Sequence, residues 1–248
     1  MKYLAIIQAR CGSTRLPNKV LKDICGQSQI VRVIERVKQS KYVDKILVAT
    51  SIAENNLPLI KECVEHNVQV FAGSENDVLD RFYQAAKLFK PEYVIRITAD
   101  CPLYDTPSLD KAIEMMGDYD YLSDMGNAPD GMDIEIFKYE ALKTAWENAR
   151  LASEREHVTI YIKSHPEMFN LGVFNDNAEF SDLRLTVDTQ EDYELILNIY
   201  KELNNFWLKD IVKLLKEKPD LLNINNMYER NEGLLKSLRE DKIIEKED

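Results

Sequence analysis

Near its start the chain reads Leu4-Ala5-Ile6-Ile7-Gln8-Ala9-Arg10-Cys11-Gly12-Ser13-Thr14-Arg15-Leu16-Pro17-Asn18-Lys19, an apolar run that continues into a basic loop. The apolar residues at the start of this stretch predict a strand that is buried on both faces. The loop after the strand carries three cations and no anion. Ligands of open α/β sheets bind beyond the carboxyl ends of the strands, so we expect this loop to meet a phosphate-bearing ligand.

Strand and helix patterns alternate through the first hundred residues, with short connections between them. The strands are short apolar runs, and the helices show apolar residues at helical spacing. This alternation predicts three βαβ units and a mainly parallel sheet with helices on its faces. After the first strand, the predicted strands are Ile46–Val48, Val68–Phe71 and Tyr93–Ile97, and the predicted helices carry the apolar stripes Ile30–Val37, Leu57–Val64 and Val78–Phe89.

The second half of the chain predicts a mixed rather than a purely parallel sheet. Met132, Ile134 and Ile136 alternate with polar residues, as in a strand with one solvent-facing side. Thr189 and Asp192 show the capping-box pattern of a helix start. Further predicted strands are Phe169–Phe174 and Leu183–Val187, and further predicted helices lie at 142–146, from Ser153, from Thr189 to Leu203, and from Trp207 on.

No repeat or low-complexity linker divides the chain, so we predict a single α/β domain, 1–248. Within it, 1–105 forms a nucleotide-binding half and 106–205 an acceptor and metal half. Residues 206–248 form a helical C-terminal extension, whose charged tail Lys246–Asp248 is expected to be frayed.

The composition excludes several classes of protein. The 248 residues carry 43 acidic and 32 basic side chains, a net charge of -11 that disfavours nucleic acid or an anionic membrane as the main partner. No apolar run approaches the roughly 20 residues of a membrane span, and no signal peptide is recognisable, so we expect a cytoplasmic protein. The four cysteines and three histidines show no zinc-ligand spacing.

The basic loop matches neither common phosphate-binding motif. Asn18 and Val20 replace the second glycine and the Ser/Thr of a P-loop, and the loop contains no G-x-G-x-x-G pattern. A solvated basic loop with a turn at Leu16-Pro17 is the alternative interpretation.

Two aspartates follow predicted strands on the side of the basic loop. Asp100 comes after the strand that ends at Ile97, and Asp188 comes after Leu183–Val187. Carboxylates that face a phosphate-binding loop suggest a divalent ion held between protein and phosphate oxygens, as Mg²⁺ usually is. Each aspartate alone could equally be a turn or helix-flanking residue.

These motifs, in this order and over nearly the whole chain, resemble the cytidylyltransferase family of the SpsF type, which is linked to spore-coat and other surface polysaccharides. The chain is more distantly similar to the enzymes that make CMP-Kdo and CMP-sialic acid. The resemblance implies a nucleotide-diphospho-sugar transferase fold, which is Rossmann-like and GT-A-like. It rests on Ile7–Arg10, Gly12–Pro17 with Lys19, Gly73-Ser74, Asp77–Arg81, Arg96–Pro102, Pro129–Gly131, Ser153–Thr159 and Thr186–Thr189, and departs from the family at Asn18, where a glycine is usual.

The resemblance also implies a role for each matching residue. CTP would be the substrate, Mg²⁺ the cofactor, and the protein a homodimer. Arg10, Arg15, Lys19, Asp100 and Asp188 would be catalytic, with the two aspartates as metal ligands. The nucleotide would contact Gln8, Ala9, Arg10, Gly12, Ser13, Arg15, Lys19, Gly73, Asp80, Arg81 and Ala99, and the acceptor would contact Asp130, Gly131, Asp133, Glu135, Glu154, Arg155 and His157.

The reaction expected from this resemblance is transfer of CMP from CTP to a sugar-like acceptor, with release of pyrophosphate and no covalent enzyme intermediate. Arg155, as a planar fork, predicts one anionic group on an otherwise hydroxyl-rich acceptor. One alternative is a sugar-1-phosphate nucleotidylyltransferase with another base, or a glycosyltransferase using Asp118-Tyr119-Asp120 as a D-x-D metal motif. The other is a non-catalytic nucleotide-binding protein.

Overall fold

A computed structural model describes residues 1–228, 230, 237–239 and 241. Of the predicted helical extension, the structure describes a helix at Leu208–Glu217. Residues 229, 231–236, 240 and 242–248, which include the tail predicted to be frayed, lie outside the described residues. No helix in the described part of the chain is long and apolar enough to cross a membrane.

A seven-stranded sheet forms the centre of the described structure. Its strands are β1 (Tyr3–Gln8), β2 (Lys45–Ser51), β3 (Gln69–Gly73), β4 (Tyr93–Thr98), β5 (Tyr121–Ser123), β6 (Glu135–Lys138) and β7 (Leu171–Val173). They lie in the order β3-β2-β1-β4-β6-β5-β7. β1 to β4 run parallel, β6 is antiparallel to β4 and β5, and β7 is parallel to β5. The predicted mixed, mostly parallel sheet is therefore confirmed.

Helices cover both faces of the sheet. They are α1 (Gln29–Val37), α2 (Leu57–Glu65), α3 (Val78–Lys87), α4 (Thr106–Met115), α5 (Tyr139–Asn148), α6 (Ala152–Glu156), α7 (Ile160–Ser164), α8 (Gln190–Glu202) and α9 (Leu208–Glu217). The first three fall on the predicted apolar stripes, because a stripe at helical spacing buries one face of a helix against the sheet.

The side chains of β1 alternate between two apolar layers. Ala5 and Ile7 pack on the side of α1, α2 and α4, whereas Leu4 and Ile6 pack on the side of α3 and α5. All four residues are fully buried. The prediction of a strand buried on both faces is confirmed, since successive strand residues point to opposite faces.

A third apolar cluster, the C-terminal core, lies beside the site described below. It packs α8 and α9 against buried residues that belong to four loops, so these loops are fixed relative to one another. The loop residues are Leu16, Ile24, Leu103, Met132, Leu185 and Val187, and the helix residues include Leu195, Ile196, Ile199, Ile211, Leu214 and Leu215.

Two strand predictions in the second half are wrong in detail. Leu183–Val187 is extended but is not a strand; Arg184 forms a single bridge with Asp130, and the N–H of Val187 donates instead to the carbonyl of Asp100 (2.8 Å). The strand predicted around Ile134 begins at Glu135 and has no solvent-facing side, because Glu135 is buried in a charged cluster. β5 has only three residues, too few for a periodic pattern.

Candidate active site

Two loops meet at the carboxyl edge of β1 and β4. The strands are parallel neighbours, so the basic loop after β1 and the Asp100 loop after β4 leave the sheet side by side. Backbone hydrogen bonds tie the two loops and β2 together: Ala9 donates to the carbonyl of Ala49 (3.1 Å), and Ala99 donates to the carbonyl of Gln8 (2.9 Å).

The ammonium group of Lys19 joins the two predicted metal-binding aspartates. Lys19 Nζ lies 3.2 Å from Asp100 Oδ2 and 2.7 Å from Asp188 Oδ1, and it donates to the carbonyl of Val187 (2.9 Å). Arg15 Nη2 lies 3.1 Å from the other oxygen of Asp188. Asp100 and Asp188, called the acidic pair here, are thus brought together with two cations that are distant from them in the sequence.

The backbone of the basic loop explains how Lys19 reaches this position. Asn18 adopts the left-handed conformation (φ 54°, ψ 27°), and a short 3₁₀ turn, Lys19–Leu21, follows it. Asparagine adopts this conformation more readily than other non-glycine residues, so it can replace the glycine that is usual here. Leu16 anchors the loop in the C-terminal core.

Charge pairing dominates the titration of this acidic pair. Burial by itself would raise the pKa of Asp100, but the Lys19 ammonium and hydrogen bonds from Thr98 and Lys19 hold that pKa at about 2. Burial would likewise lower the pKa of Lys19, and the two aspartates more than offset it. Asp100 and Lys19 are therefore both charged at neutral pH.

Asp188 is positioned by the extended segment before it and by the helix after it. Leu185 and Val187 are buried in the C-terminal core. Thr189 caps α8 by accepting from the N–H of Asp192, and Asp192 Oδ2 accepts from the N–H of Thr189, which confirms the predicted capping box. Arg184 pairs with Asp192 (2.8 Å) and lies 3.6 Å from Asp188. The carboxylate is thus fixed from both sides.

A cavity of about 470 Å³ extends from this acidic pair into the fold. Its outer end contains Asp100, Asp188 and Arg15, and its inner end lies between β4, β6 and α7. Its walls are mostly polar, as expected for a site that binds a hydroxyl-rich molecule. The lining residues are Arg15, Arg96, Thr98, Asp100, Cys101, Tyr104, Ser123, Asp124, Met125, Gly126, Asp130, Gly131, Asp133, Ile134, Glu135, His157, Thr159, Ile160, Lys163, Arg184, Thr186 and Asp188.

Glu135 stands at the centre of a charged cluster at the inner end of the cavity. It pairs with Arg96 across the β4–β6 register and with Lys163 of α7 (2.8 Å). Its Oε1 also accepts from Tyr121 Oη and from Thr159 Oγ1, each at 2.6 Å. Burial would raise the pKa of Glu135, but Lys163 and Arg96 hold it well below its usual range. The glutamate is therefore ionised and fully hydrogen-bonded.

A tight turn places two further side chains in the cavity. Val158, between His157 and Thr159, has φ 57°, and the N–H of Thr159 donates to the carbonyl of His157 (2.5 Å). A left-handed backbone is strained for a β-branched residue. The turn lets both neighbours of the buried Val158 line the cavity. Burial lowers the pKa of His157, so its imidazole is neutral at pH 7.

One wall of the cavity, called the acidic wall here, is formed by Asp124, Asp130 and Asp133. Burial and the neighbouring Asp133 raise the pKa values of Asp124 and Asp130 to about 6. Arg184 pairs with Asp130 (2.8 Å), and Arg230 pairs with Asp133. This wall offers carboxylate acceptors to the hydroxyl groups of a ligand.

Two buried polar atoms of lining residues have no hydrogen-bond partner among the described residues. They are Arg96 Nε and Tyr104 Oη. Both atoms are fully buried, so they are unpaired polar groups within the wall itself.

The predicted nucleotide-binding residues lie mostly around the basic loop. Gly73 ends β3, and Arg81 is buried beside it with Nη1 donating to the carbonyl of Ser74 (2.8 Å). Burial and the nearby Arg10 lower the pKa of Arg81 to about 10. Two cations close together provide a positive edge for an anionic ligand.

Asp80, which is predicted to contact the nucleotide, has structural partners in the fold, and its contact with the nucleotide stays a prediction. Its Oδ1 accepts from Trp146 Nε1 (2.8 Å) and Gln84 Nε2 (3.0 Å), so the carboxylate joins α3 to α5 inside the fold. The spacing of a sequence motif cannot show which way a helical side chain points.

The predicted acceptor residues divide into two groups. Asp130, Gly131, Asp133, Glu135 and His157 line the cavity. Glu154 and Arg155 do not line it, so their assignment to the acceptor stays a prediction.

Both side chains have structural partners instead. Glu154 Oε2 accepts from the N–H groups of Arg150 and Leu151 at the start of α6, so Ser153 is not the N-cap. Arg155 pairs with Asp77 and donates to the carbonyl of Trp146 (2.8 Å).

The sequence-based assignment of site residues left out Arg96, Thr98, Lys163, Arg184 and Arg230. The first two stand inside the motifs quoted above, and Arg184 lies just before another one. Lys163 and Arg230 carry no sequence signal; the fold brings Lys163 to the cavity and Arg230 to Asp133 of its wall.

The acidic pair fits Mg²⁺ in part. Its two carboxylates approach the same cation, Lys19 Nζ, and Mg²⁺ is commonly held by one or two carboxylates together with phosphate oxygens and water. Among the described residues no group of three or more His, Cys, Asp or Glu side chains could hold a metal ion alone. Asp100 and Asp188 could therefore supply two of the ligands of a Mg²⁺ ion, with phosphate oxygens and water as the others.

The D-x-D sequence lies away from the cavity. Asp120 Oδ1 pairs with Lys138 (2.9 Å), and its Oδ2 accepts from the N–H of Asn170 (2.9 Å). Neither Asp118 nor Asp120 lines the cavity. Asp120 joins β5, β6 and β7 structurally.

Comparisons with known proteins point to one family. The family model described as "Cytidylyltransferase" matches residues 4–241. An uncharacterized protein of Methanocaldococcus jannaschii is 39% identical over 233 residues, which cover 91% of this chain and 95% of that protein. The spore coat polysaccharide biosynthesis protein SpsF of Bacillus subtilis is 36% identical over 231 residues, 88% of this chain and 95% of that protein.

Solved structures agree with this result. A cytidylyltransferase from Leptospira borgpetersenii superimposes with a TM-score of 0.86 at 31% identity, over 92% of this chain and 100% of that one. A CMP:2-keto-3-deoxy-manno-octonic acid synthetase that was solved with CTP superimposes with a TM-score of 0.66 at 16% identity, over 82% of this chain and 100% of that one.

Proposed function

Because this chain belongs to the cytidylyltransferase family and has the nucleotide-diphospho-sugar transferase fold, we propose that it transfers CMP from CTP to a sugar-like acceptor. Pyrophosphate is the second product. The similarity to SpsF supports an activated sugar for surface polysaccharide or glycan synthesis as the purpose of the reaction. A cytoplasmic homodimer remains the family-based expectation.

The convergence of Arg15, Lys19, Asp100 and Asp188 at the mouth of a polar cavity carries the proposal. Nucleotidyl transfer requires that the protein align the two reactants and neutralise the charge of the phosphates. The basic loop supplies cations, and the cavity supplies space for the second reactant next to them. The synthetase of the same fold that was solved with CTP supports CTP as the nucleotide.

The roles of the cations follow from their positions. Arg10, an exposed residue of the basic loop, and Arg15, half-exposed at the cavity mouth, are placed to bind the triphosphate. Lys19 is largely buried, 12% exposed, and holds the two aspartates ionised and close together. Charge that grows on the leaving pyrophosphate is stabilised by cations already in place.

The acceptor oxygen attacks the α-phosphorus of CTP, and the bond from that phosphorus to pyrophosphate breaks. Asp100 and Asp188 are the residues that would hold Mg²⁺. When bound, the ion neutralises phosphate oxygens and lowers the pKa of a coordinated hydroxyl. The acidic wall with Asp130 and Asp133 orients the acceptor hydroxyls by accepting their hydrogen bonds.

No specific observation favours the alternatives. Neither aspartate of the D-x-D sequence lines the cavity, and Asp120 has structural partners outside it. Both aspartates of the acidic pair are present, whereas a non-catalytic nucleotide-binding protein has no need of them.

Pyrophosphate release from each of the four NTPs tests the proposal, with Mg²⁺ and a panel of sugar acids, sugar phosphates and polyol phosphates. We expect release with CTP only, dependent on an acceptor. Asp100→Asn and Asp188→Asn should each lower turnover at least about 100-fold with the fold intact, because charge stabilisation of the transition state is worth several kcal/mol. Asp120→Asn is the matched control. Equal release from all four NTPs, or unchanged turnover in both variants, would contradict the proposal.

A further inference from the structure

We propose that Arg230 is a positioning residue of the acceptor site, because it fixes Asp133 and the loop between β5 and β6, which together form one side of the cavity. Arg230 does not itself line the cavity, so it acts through these neighbours. This inference rests on the proposed function, since it assumes that the cavity holds the acceptor. It makes the C-terminal part of the chain, which lies beyond the quoted motifs, a part of the site.

The loop between β5 and β6, residues 124–134, lines the cavity along much of its length. Met125 and Gly126 have positive φ values of 53° and 83°, so the chain turns sharply there. The second half of the loop is fixed, because the N–H of Asp130 donates to the carbonyl of Leu183 (2.9 Å). A loop without a helix or strand depends on such contacts with other segments for a fixed conformation.

Arg230 holds the first half of this loop. Its Nη1 donates to the carbonyls of Gly126 (2.7 Å) and Ala128 (2.6 Å), and its Nη2 pairs with Asp133 Oδ1. A guanidinium is a planar group with five donors, so one side chain can bind three oxygens in fixed directions. Arg230 therefore joins the start of the loop to a carboxylate near its end.

Arg230 also supplies a positive charge beside the acidic wall. Asp133 raises the pKa values of Asp124 and Asp130, so the three carboxylates lie close enough to repel one another. Arg184 pairs with Asp130 (2.8 Å), whereas Arg230 pairs with Asp133. The side chain of Asp133 is 43% exposed, so without Arg230 the repulsion would turn it towards solvent and away from the wall.

Asn225 anchors the chain shortly before Arg230. It is buried, and its Nδ2 donates to the carbonyl of Arg184 (3.1 Å) and to the carboxylate in the capping box of α8 (2.8 Å). Arg184 in turn pairs with Asp130 of the acidic wall. The C-terminal part of the chain therefore contacts the partners of the acidic wall at two points, through Arg184 and through Asp133.

A later residue of the C-terminal part contacts the cavity lining at another place. Ser237 Oγ lies 3.0 Å from Nε2 of the lining residue His157 and donates to Glu156 Oε2 (2.6 Å). The C-terminal part thus meets both the acidic wall and the turn at Val158. These contacts support a role in the site for this part of the chain as a whole.

Steady-state kinetics test the inference. The acceptor probe is the sugar acid, sugar phosphate or polyol phosphate of the panel above that gives the fastest CTP-dependent pyrophosphate release. Arg230→Gln should raise the KM of this acceptor at least about tenfold and change the KM of CTP less than about twofold, because its contacts are with the acidic wall. Arg230→Lys keeps the charge beside Asp133 and should raise the acceptor KM less than Arg230→Gln does.

Amide hydrogen exchange tests the positioning without an acceptor. The N–H groups of Gly126 and Asn127 donate to Asp124 (2.7 and 3.0 Å) within the half of the loop that Arg230 holds. Arg230→Gln should speed exchange at both amides at least about tenfold, and exchange in β1 and β4 should stay unchanged.

Arg150→Gln is the matched control for both measurements, because Arg150 is exposed and its guanidinium donates to the neighbouring carbonyl of Ala149 (2.9 Å). If Arg230→Gln does not fold, as judged by thermal unfolding, Arg230→Lys takes its place and should show changes in the same direction.

Two results would overturn the inference: an acceptor KM in Arg230→Gln equal to that in Arg150→Gln, or unchanged exchange at Gly126 and Asn127. If no acceptor of the panel gives CTP-dependent release in the parent protein, the proposed function is contradicted, and the exchange measurement still decides whether Arg230 fixes the loop. Normal release with an unchanged acceptor KM in the Arg230 variants would contradict this inference alone.

Discussion

Among single residues, Lys19 has two roles, one in the free protein and one in the proposed reaction. Its ammonium neutralises two aspartates that would otherwise repel each other, and it lies at the edge where the triphosphate is proposed to bind. A charge in this position keeps the two aspartates of the free protein ionised and, under the proposed function, would also act in the reaction. Substitutions at Lys19 can therefore be analysed with two independent measurements.

Lys19→Met removes the charge and keeps most of the side-chain volume. We expect weaker CTP binding and slower turnover together, because the phosphate charge grows in the transition state. Steady-state kinetics and CTP titration measure both effects. Lys22→Met, a nearby lysine over the ring of Tyr193, is the control. If the variant shows normal CTP affinity and normal turnover, Lys19 has no role in CTP binding or in the reaction.

Gly131 brings two backbones closer than any other residue would allow. It has φ 94°, and a Cβ atom here would lie 2.6 Å from the backbone nitrogen of Thr186 and 2.7 Å from the carbonyl carbon of Leu185. These are backbone atoms, so no side-chain rotation can relieve the contact. The segment that carries Asp188 packs directly on this glycine.

Gly131→Ala should therefore displace the 185–187 segment and, with it, Asp188. We expect lower stability and a loss of pyrophosphate release larger than the loss of folded protein. Gly26→Ala is the matched control, because Gly26 also has a positive φ (88°), has no atom within 4 Å of the added Cβ and does not line the cavity. The control should lose roughly 1 kcal/mol from backbone strain alone. Equal effects of the two substitutions in urea unfolding and activity would refute this explanation.

At the scale of secondary-structure elements, Arg155 fastens α6 to two longer helices. It pairs with Asp77, the residue that caps α3, and donates to the carbonyl of Trp146 in α5. The capping role of Asp77 depends on its carboxylate, which accepts from the N–H of Asp80 (2.8 Å). The short helix α6 is therefore fixed through Arg155 to Asp77, the residue that caps α3.

Arg155→Ala should lower the free energy of unfolding by roughly 2 kcal/mol, since hydrogen bonds to charged groups are lost. It should leave the acceptor KM nearly unchanged, because the side chain does not reach the cavity. Urea unfolding and acceptor kinetics, with Arg150→Ala as control, measure the two effects. A large rise in acceptor KM at normal stability would contradict this structural role and indicate that Arg155 binds the acceptor.

At the scale of the whole molecule, two sets of buried carboxylates oppose each other as the pH changes. The pKa values of Asp124 and Asp130 are raised from 3.8 to about 6, so their ionised forms destabilise the fold above pH 6. The pKa of Glu135 is held below 4.5 and that of Asp100 at about 2, so their ionised forms stabilise the fold.

Stability should therefore rise as the pH falls from 7 towards 5, where Asp124 and Asp130 take up protons in the folded state first. It should fall again below about pH 4.5, where the unfolded chain protonates Glu135 and Asp100 first. The pKa of His157 is lowered, so its protonation in the unfolded chain decreases stability below pH 6.5. This effect comes from one group, whereas the increase in stability comes from two, Asp124 and Asp130. Urea unfolding at a series of pH values measures the curve.

Asp124→Asn should flatten the rise between pH 7 and 5 and leave the fall below pH 4.5. Asn keeps an oxygen that can accept from a backbone N–H, so the fold is retained. A stability that decreases steadily from pH 7 to 4.5 in the parent protein would contradict the pKa shifts of the acidic wall.

Periodicity and residue type were sufficient for the central part of the fold. β1 to β4 and the helices between them follow from apolar runs and stripes, because burial against a sheet imposes a fixed spacing on apolar residues. The basic loop and Asp100 could also be recognised, since strand ends determine where a ligand site forms in an α/β sheet. Asp188 joins them although the extended segment before it is not a strand. The cap at Thr189 is a local hydrogen-bond pattern and was predicted correctly.

Only the tertiary structure decided which polar side chains face the cavity. Arg155 and Asp80 stand in promising motifs, yet helix packing directs them to Asp77 and Trp146. Lys163 has no motif, yet α7 carries it to Glu135. A sequence pattern records the chemistry of a residue and its spacing along one element, but the direction of a charged side chain depends on partners that distant segments bring to it.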